Sequence, residues 1–165
     1  MPTSATYQTH TTSPLGDVLL AANEHGLTGL WFVHRQAHMP DSRQWLTDDA
    51  HPVMQIAAQQ LREYFSGERR TFDLPLHAPW GTPFQRAVWQ ALKRIPYGQT
   101  RSYGDIARDI ANPKAVRAVG AAIGQNPHSI LVPCHRVLGA KGSLTGFSGG
   151  LDRKTHLLAH EATHA

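Results

Sequence analysis

The chain has very little cysteine: one thiol in 165 residues. That excludes an internal disulfide and any multi-cysteine zinc cage, and it fits a reducing, cytoplasmic setting. It also leaves Cys134 as a free thiol whose presence needs a reason. No stretch approaches the roughly 20 apolar residues of a membrane span. The opening MPTSATYQTH has neither a basic start nor an apolar run, so it is not expected to be a secretory leader. No internal repeat and no low-complexity segment occurs. Eleven histidines are present but scattered. His34 and His38 stand four apart, yet Pro40 follows and no helical pattern supports a metal-binding face. No metal and no cofactor are expected.

Lysine is missing from the first part of the chain. Up to Ala78 there are five Arg and eight acidic residues, a net −3, whereas from Pro79 onward eleven Lys and Arg face four acids, a net +7. A basic half beside an acidic half points to a polyanionic partner for one of them, although charge alone is equally consistent with no such role. The expected division is an N-terminal scaffold domain over residues 1–78 and a C-terminal domain over 79–165. Ala78-Pro79-Trp80-Gly81 forms the linker.

In the first part, Tyr7 to His10, Asp17 to Ala22 and Leu27 to Val33 read as short strands. Pro14-Leu15-Gly16 and Asn23-Glu24-His25-Gly26 are the turns between them. A helix is predicted from about Pro52 to Phe65, with Val53, Ile56, Ala57, Leu61, Tyr64 and Phe65 along one side and Gly67 just past its end. Asp73 to Leu76 is a short extended piece. This half is α/β and carries no evident chemistry.

The second half is helical and well punctuated. Thr82 and Gln85 form a capping box around Pro83, and Phe84, Ala87, Val88, Ala91, Leu92 and Ile95 mark an apolar face that stops at Pro96. Ser102 and Asp105 form a second box, opening a short helix through Ile110. Asn112-Pro113 is expected to cap a third, PKAVRAVGAAIG, running to about Gly124. Two short helices so joined resemble a helix-turn-helix, a weak signal by spacing alone. The third helix is thin, rich in Ala and Gly, with Lys114 and Arg117 as its only charges. Such a helix suits close approach to a DNA groove, and it equally suits tight helix packing. A strand-like run, Ser129 to Val132, then ends at Pro133-Cys134-His135-Arg136-Val137. A cysteine after an apolar run is often inert; one beside His and Arg can be a stabilised thiolate.

The run NPHSILVPCHRVLGAKGSLTGFSGGLDRKTHLLAHE, Asn126 to Glu161, resembles the signature region of the O6-alkylguanine-DNA alkyltransferases, also called methylated-DNA–protein-cysteine S-methyltransferases. The family's IPCHR pentapeptide stands here as Val132 to Arg136, and the likeness extends upstream through RSYGDIA at Arg101 and RAVGAAIGQNP at Arg117. The resemblance implies a ribonuclease H-like N-terminal α/β domain with a short antiparallel sheet. It implies a mainly helical C-terminal domain of winged helix-turn-helix type. The implied activity is DNA repair: single-use transfer of the alkyl group from O6-alkylguanine, with O4-alkylthymine as a further substrate, onto Cys134. His135 would act as base through a water, Glu161 would support the imidazole, and Asn126 would stabilise the turn before the cysteine. The implied partner is double-stranded DNA carrying the lesion, bound through the minor groove by a monomer that can assemble cooperatively along DNA; no membrane is involved.

Because the lesion lies inside a stacked duplex, the nucleotide would be flipped out. The resemblance implies that Arg117 fills the gap, that Tyr103 presses the backbone and contacts the base, and that Ser102, Lys114, Ala118 and Ala121 line the DNA face. Val132, Val137, Phe147, Ser148, Gly149 and Ile123 would form the base pocket. Two positions depart from the family's pattern. Phe147 stands where Tyr is common, which loses a hydroxyl, and Ser129 stands where some relatives have proline. The zinc site some relatives carry in the N-terminal half is not expected, since no cysteine is there. A cysteine hydrolase would share the thiol–imidazole–carboxylate set, but its thioester can be cleaved by water, whereas a thioether cannot. A non-catalytic DNA-binding module is the other alternative.

Overall fold

The computed structural model describes residues 5–34 and 36–165. Residues 1–4, at the head of the stretch not expected to be a leader, and Arg35 lie outside the described residues. The chain forms two compact units, Met1–Pro79 and Trp80–Ala165. Among the described residues no helix is long and apolar enough to cross a membrane.

In the first unit, β1 (Tyr7–Thr11), β2 (Val18–Asn23) and β3 (Gly26–Phe32) form antiparallel pairs in the register that the turns at 13–16 and 23–26 impose. A fourth strand, β4 (Leu46–Thr47), adds to β1 in parallel, giving the order β3-β2-β1-β4. Two residues are too short to show an alternating pattern, so this strand was not predicted. It is held instead by long-range bonds, from Leu46 N to Thr6 O (2.9 Å) and from Asp48 N to Gln8 O (3.0 Å). Helix α1 (Pro52–Phe65) packs Met54, Ala57, Leu61 and Tyr64 inward. Ile56, expected on that face, is exposed, because the inward positions fall at 54, 57, 61 and 64. The extended piece before the linker joins the sheet at Leu27↔Leu76, with Leu27 N–H bonded to Pro75 O at 2.9 Å.

In the second unit, α2 (Pro83–Lys93) begins at the Thr82–Gln85 capping box and α3 (Tyr103–Asp109) at the Ser102–Asp105 box, both reciprocally bonded. The buried side of α2 is Val88, Trp89, Ala91 and Leu92, while Ala87 is exposed. The Trp89 indole N–H donates to Ala122 O at 2.8 Å, tying α2 to the next helix. That helix, α4, spans Val116–Gly124 and has Ala115 as its N-cap. Its start differs from the expected cap at Asn112-Pro113. Ala111 adopts a left-handed φ of 59°, and Ala115 N–H bonds Asn112 O, so residues 112–115 form a turn and Lys114 precedes the helix.

The run Ser129–Val132 is not a strand. Asn126 holds it as a tight turn: its Oδ1 accepts from His128 N–H (3.0 Å) and its Nδ2 donates to Val132 O (2.9 Å). Ile130 takes φ 73°. A buried side-chain amide bonding three groups of the local backbone outweighs the β-propensity of Ile, Leu and Val. A 3-10 turn, Cys134–Arg136, follows directly. After it β6 (Val137–Leu138) pairs in parallel with β5 (Arg101–Ser102), and the exposed 140–146 loop leads into α5 (Leu151–His164).

Candidate active site

The 3-10 turn presents three consecutive polar side chains, all buried. Cys134 is a free thiol, 4% exposed. Burial pushes its pKa up to about 11, against the opposing pull of the Asn126 side chain, the Lys154 charge and the backbone N–H groups of Cys134 and His135. A thiol in this state is nearly all protonated at neutral pH. The arrangement therefore supplies groups that favour a thiolate, but burial overrides them.

His135 is fully buried, and its Nε2 lies 2.7 Å from Glu161 Oε2. Burial holds its pKa below the ordinary histidine value, more than Glu161 raises it. The imidazole is thus neutral, with Nε2–H donating to the carboxylate, and Nδ1 has no hydrogen-bond partner among the described residues. Assigned this way, Nδ1 carries a lone pair that can accept a proton. Glu161 also takes two bonds from Arg136, Nε to Oε1 at 2.7 Å and Nη2 to Oε2 at 3.0 Å. Arg136 Nη1 donates to Ile95 O (2.7 Å), and the Tyr97 ring lies 5.5 Å from its guanidinium carbon. One buried carboxylate therefore serves the two residues that follow the cysteine.

Lys154 was not identified from the sequence. It lies 1% exposed on the inner face of α5, donating from Nζ to Val137 O (2.6 Å) and Thr145 O (3.0 Å). Burial lowers its pKa, and the thiol beside it raises it in return. The available signal was spacing: Lys154, Leu157 and Glu161 fall at i, i+3 and i+7, on one helix face.

The remaining expected residues fall into two groups. Ile123, Val132, Val137 and Gly149 are buried, with Phe147 and Ser148 half-buried beside them in sequence; Ser148 Oγ donates to Gly124 O at 2.6 Å. Lys114, Arg117, Ala118 and Ala121 are all exposed. Ser102 is occupied as the cap of α3, and the Tyr103 ring lies 3.8 Å from where a Cβ on Gly120 of α4 would stand. The thin, outward face of α4 is therefore free, while Val119, Ala122 and Ile123 supply its packing. The packing reading holds for Val119, Ala122 and Ile123, while Ala118 and Ala121 face outward.

Residues 6–78 match the family described as "6-O-methylguanine DNA methyltransferase, ribonuclease-like domain", and residues 83–163 match its "DNA binding domain". The methylated-DNA–protein-cysteine methyltransferase of Methanosarcina acetivorans is 50% identical over 153 residues, covering 92% of this chain and 95% of that one. The constitutive enzyme of that name from Bacillus subtilis is 49% identical, with 87% of each covered. The fold is similar to that of Mycobacterium tuberculosis O6-methylguanine methyltransferase, at TM-score 0.87 and 46% identity over 97% of this chain and 94% of that one. It is similar again to the M. tuberculosis OGT structure in complex with DNA, at TM-score 0.88 and 45% identity over 96% and 94%.

Proposed function

Since the chain belongs to the 6-O-methylguanine DNA methyltransferase family, we propose that it repairs alkylated DNA by transferring the alkyl group from guanine O6 to Cys134, once per molecule. The observation that carries this reading is the buried set at the 3-10 turn: a sole thiol flanked by a neutral histidine that is anchored on Glu161. In the step proposed, the thiol proton passes through a water to His135 Nδ1, and the sulfur attacks the alkyl carbon. The carbon–O6 bond breaks with its electron pair going to the purine, which then takes a proton. The product is a thioether, with no carbonyl for water to attack, so the protein is consumed.

Lys154 stabilises the thiolate by charge, and Asn126 fixes the turn on which Cys134 sits. Ile123, Val132, Val137, Phe147, Ser148 and Gly149 line the pocket for the everted base. Arg117 fills the stack it leaves. Tyr103, Ser102, Lys114, Ala118 and Ala121 bear on the backbone and minor groove, where small residues allow deep approach. O6-alkylguanine in duplex DNA is the substrate, and O4-alkylthymine is a further one. In this reading residues 1–78 are a scaffold and residues 79–165 bind DNA and accept the alkyl group. The protein works as a cytoplasmic monomer that can assemble along DNA.

Intact mass spectrometry tests the reading. After incubation with duplex containing O6-methylguanine, the protein is expected to gain the mass of one methylene, mapped to Cys134 and stable to dilution. Unmodified protein that merely binds the duplex, or repeated turnover of an ester, would contradict it. Arg117→Ala tests the wedge separately. The variant is expected to react with a free O6-alkylguanine base at the normal rate but to repair duplex about 10- to 100-fold more slowly, since unstacking costs a few kcal/mol. Equal losses on both substrates would remove Arg117 from that role.

A further inference from the structure

Helix α5 lines up three of the chain's eleven histidines at four-residue spacing: His156, His160 and His164. Residues four apart are neighbours on a helix surface, so each such pair can bring two imidazoles together. The last pair does so. The rings of His160 and His164 lie 4.3 Å apart between centroids and are tilted by 37°. Both residues are half-buried, whereas His156 is exposed. His164 Nδ1 lies 2.7 Å from the His160 carbonyl oxygen. A carbonyl oxygen only accepts, so Nδ1 donates, and in the neutral ring the lone pair then sits on Nε2. A metal-binding histidine is held in the same way, one ring nitrogen donating to a carbonyl while the other faces the ion. Glu161, next to His160 in sequence, turns inward to His135 and Arg136.

A pair of this kind favours one class of cation. Two imidazole nitrogens held ~2.0–2.1 Å from a tetrahedral ion stand about 3.4 Å apart. Rings whose centroids are 4.3 Å apart need only a small side-chain rotation to offer that separation. Imidazole suits zinc, copper and nickel ions, whereas magnesium and calcium prefer oxygen. The scarcity of cysteine excludes a thiolate cage but not a site built from imidazoles. Position adds to the preference. α5 ends at His164, and the carbonyls of a last helical turn carry partial negative charge that favours a cation. The His156–His160 pair lies a turn farther from that end. We infer that His160 and His164 form a binding site for a divalent transition-metal ion of the zinc class, with water completing its coordination. Two protein ligands make a weaker site than the four of a closed structural one, so a chelator empties it. A bound ion pins residues 160 and 164 together across the turn that carries Glu161, and so stabilises the end of α5. Metal binding here is separate from the alkyl transfer proposed above and does not depend on it.

Zinc ion alone is the probe, titrated by calorimetry into wild type, His156→Gln, His160→Gln, His164→Gln and Cys134→Ser. Glutamine is a good helix former, so α5 should persist in the histidine variants. Wild type is expected to bind a single ion, and Cys134→Ser and His156→Gln to bind it about as tightly. His160→Gln and His164→Gln should each weaken binding about tenfold or more, since loss of even a ligand's hydrogen-bond partner costs about 10- to 100-fold. Zinc should raise the melting temperature of wild type but not of these two variants, by mass action on the folded state. NMR of the wild-type imidazoles covers the case in which His160→Gln does not fold. The ring signals of His160 and His164 should shift on adding zinc and return on adding a chelator. Wild type that binds no zinc, binding that disappears in Cys134→Ser, or binding that survives in both His160→Gln and His164→Gln would overturn the site.

Discussion

Serine in place of Cys134 is expected to abolish the mass gain on alkylated duplex while leaving the protein folded and able to bind that duplex. The change exchanges one small buried side chain for another, so the turn held by Asn126 should persist. The chemistry should not. At neutral pH the hydroxyl of serine is far from ionised, and the surrounding charges are too few to change that. Loss of a covalent nucleophile typically costs at least about 10⁴-fold. The thiol itself starts from a poor position. With burial pushing its pKa up to about 11, it is nearly all protonated at neutral pH. Lys154, the Asn126 side chain and the backbone N–H groups of Cys134 and His135 are the groups that favour the thiolate against this burial. Quantitative mass spectrometry together with a gel-shift on the same duplex checks both halves. A methylated serine variant, at any residue, would show that the acceptor lies elsewhere.

Local chemistry in the sequence accounts for much of this arrangement. Thr82 with Gln85 and Ser102 with Asp105 are short-range devices that fix where α2 and α3 begin, and both hold in the structure. The turns at Gly16 and Gly26 likewise set the β1–β2–β3 register. Where the outcome depended on a side-chain hydrogen bond or a backbone conformation that composition does not display, the reading failed. Ser129 to Val132 has the composition of a strand, but Asn126 folds it into a turn. Asn112-Pro113 looks like a helix start, but the left-handed Ala111 delays α4 to Val116. Lys154 sits in Asp152-Arg153-Lys154, which reads as a solvated helix start. It is buried because two carbonyls far away in sequence, on Val137 and Thr145, converge on its ammonium. Cys134, His135 and Glu161 were legible through the family resemblance. The Arg136 clamp on Glu161 depends on a 25-residue separation that spacing does not reveal.

That clamp makes Glu161→Gln the more informative of the large perturbations, because it strikes stability and chemistry by different routes. Glu161 is 1% exposed and neutralises the buried Arg136 guanidinium, whose other contacts among the described residues are Ile95 O and the Tyr97 ring. An amide of the same size leaves that cation uncompensated, and breaking a buried pair in this way costs about 3–5 kcal/mol. Urea denaturation should register the loss. The chemical effect concerns a tautomer. With Glu161 present, Nε2–H is donated and Nδ1 is left to accept. With an amide oriented by Arg136, the group facing His135 can be NH₂, which forces Nε2 to accept and puts the proton on Nδ1. A histidine so arranged cannot take the thiol's proton, and in a protease triad the analogous carboxylate-to-amide change costs about 10⁴-fold. The repair rate of folded Glu161→Gln protein is accordingly expected to fall by about 10²- to 10⁴-fold. Arg136→Met separates the two effects: it also destabilises, by stranding the carboxylate, yet it preserves the His135–Glu161 bond and should retain far more activity. If the two variants lose stability and rate in parallel, Glu161 acts only through the fold, and the proton route through His135 is wrong.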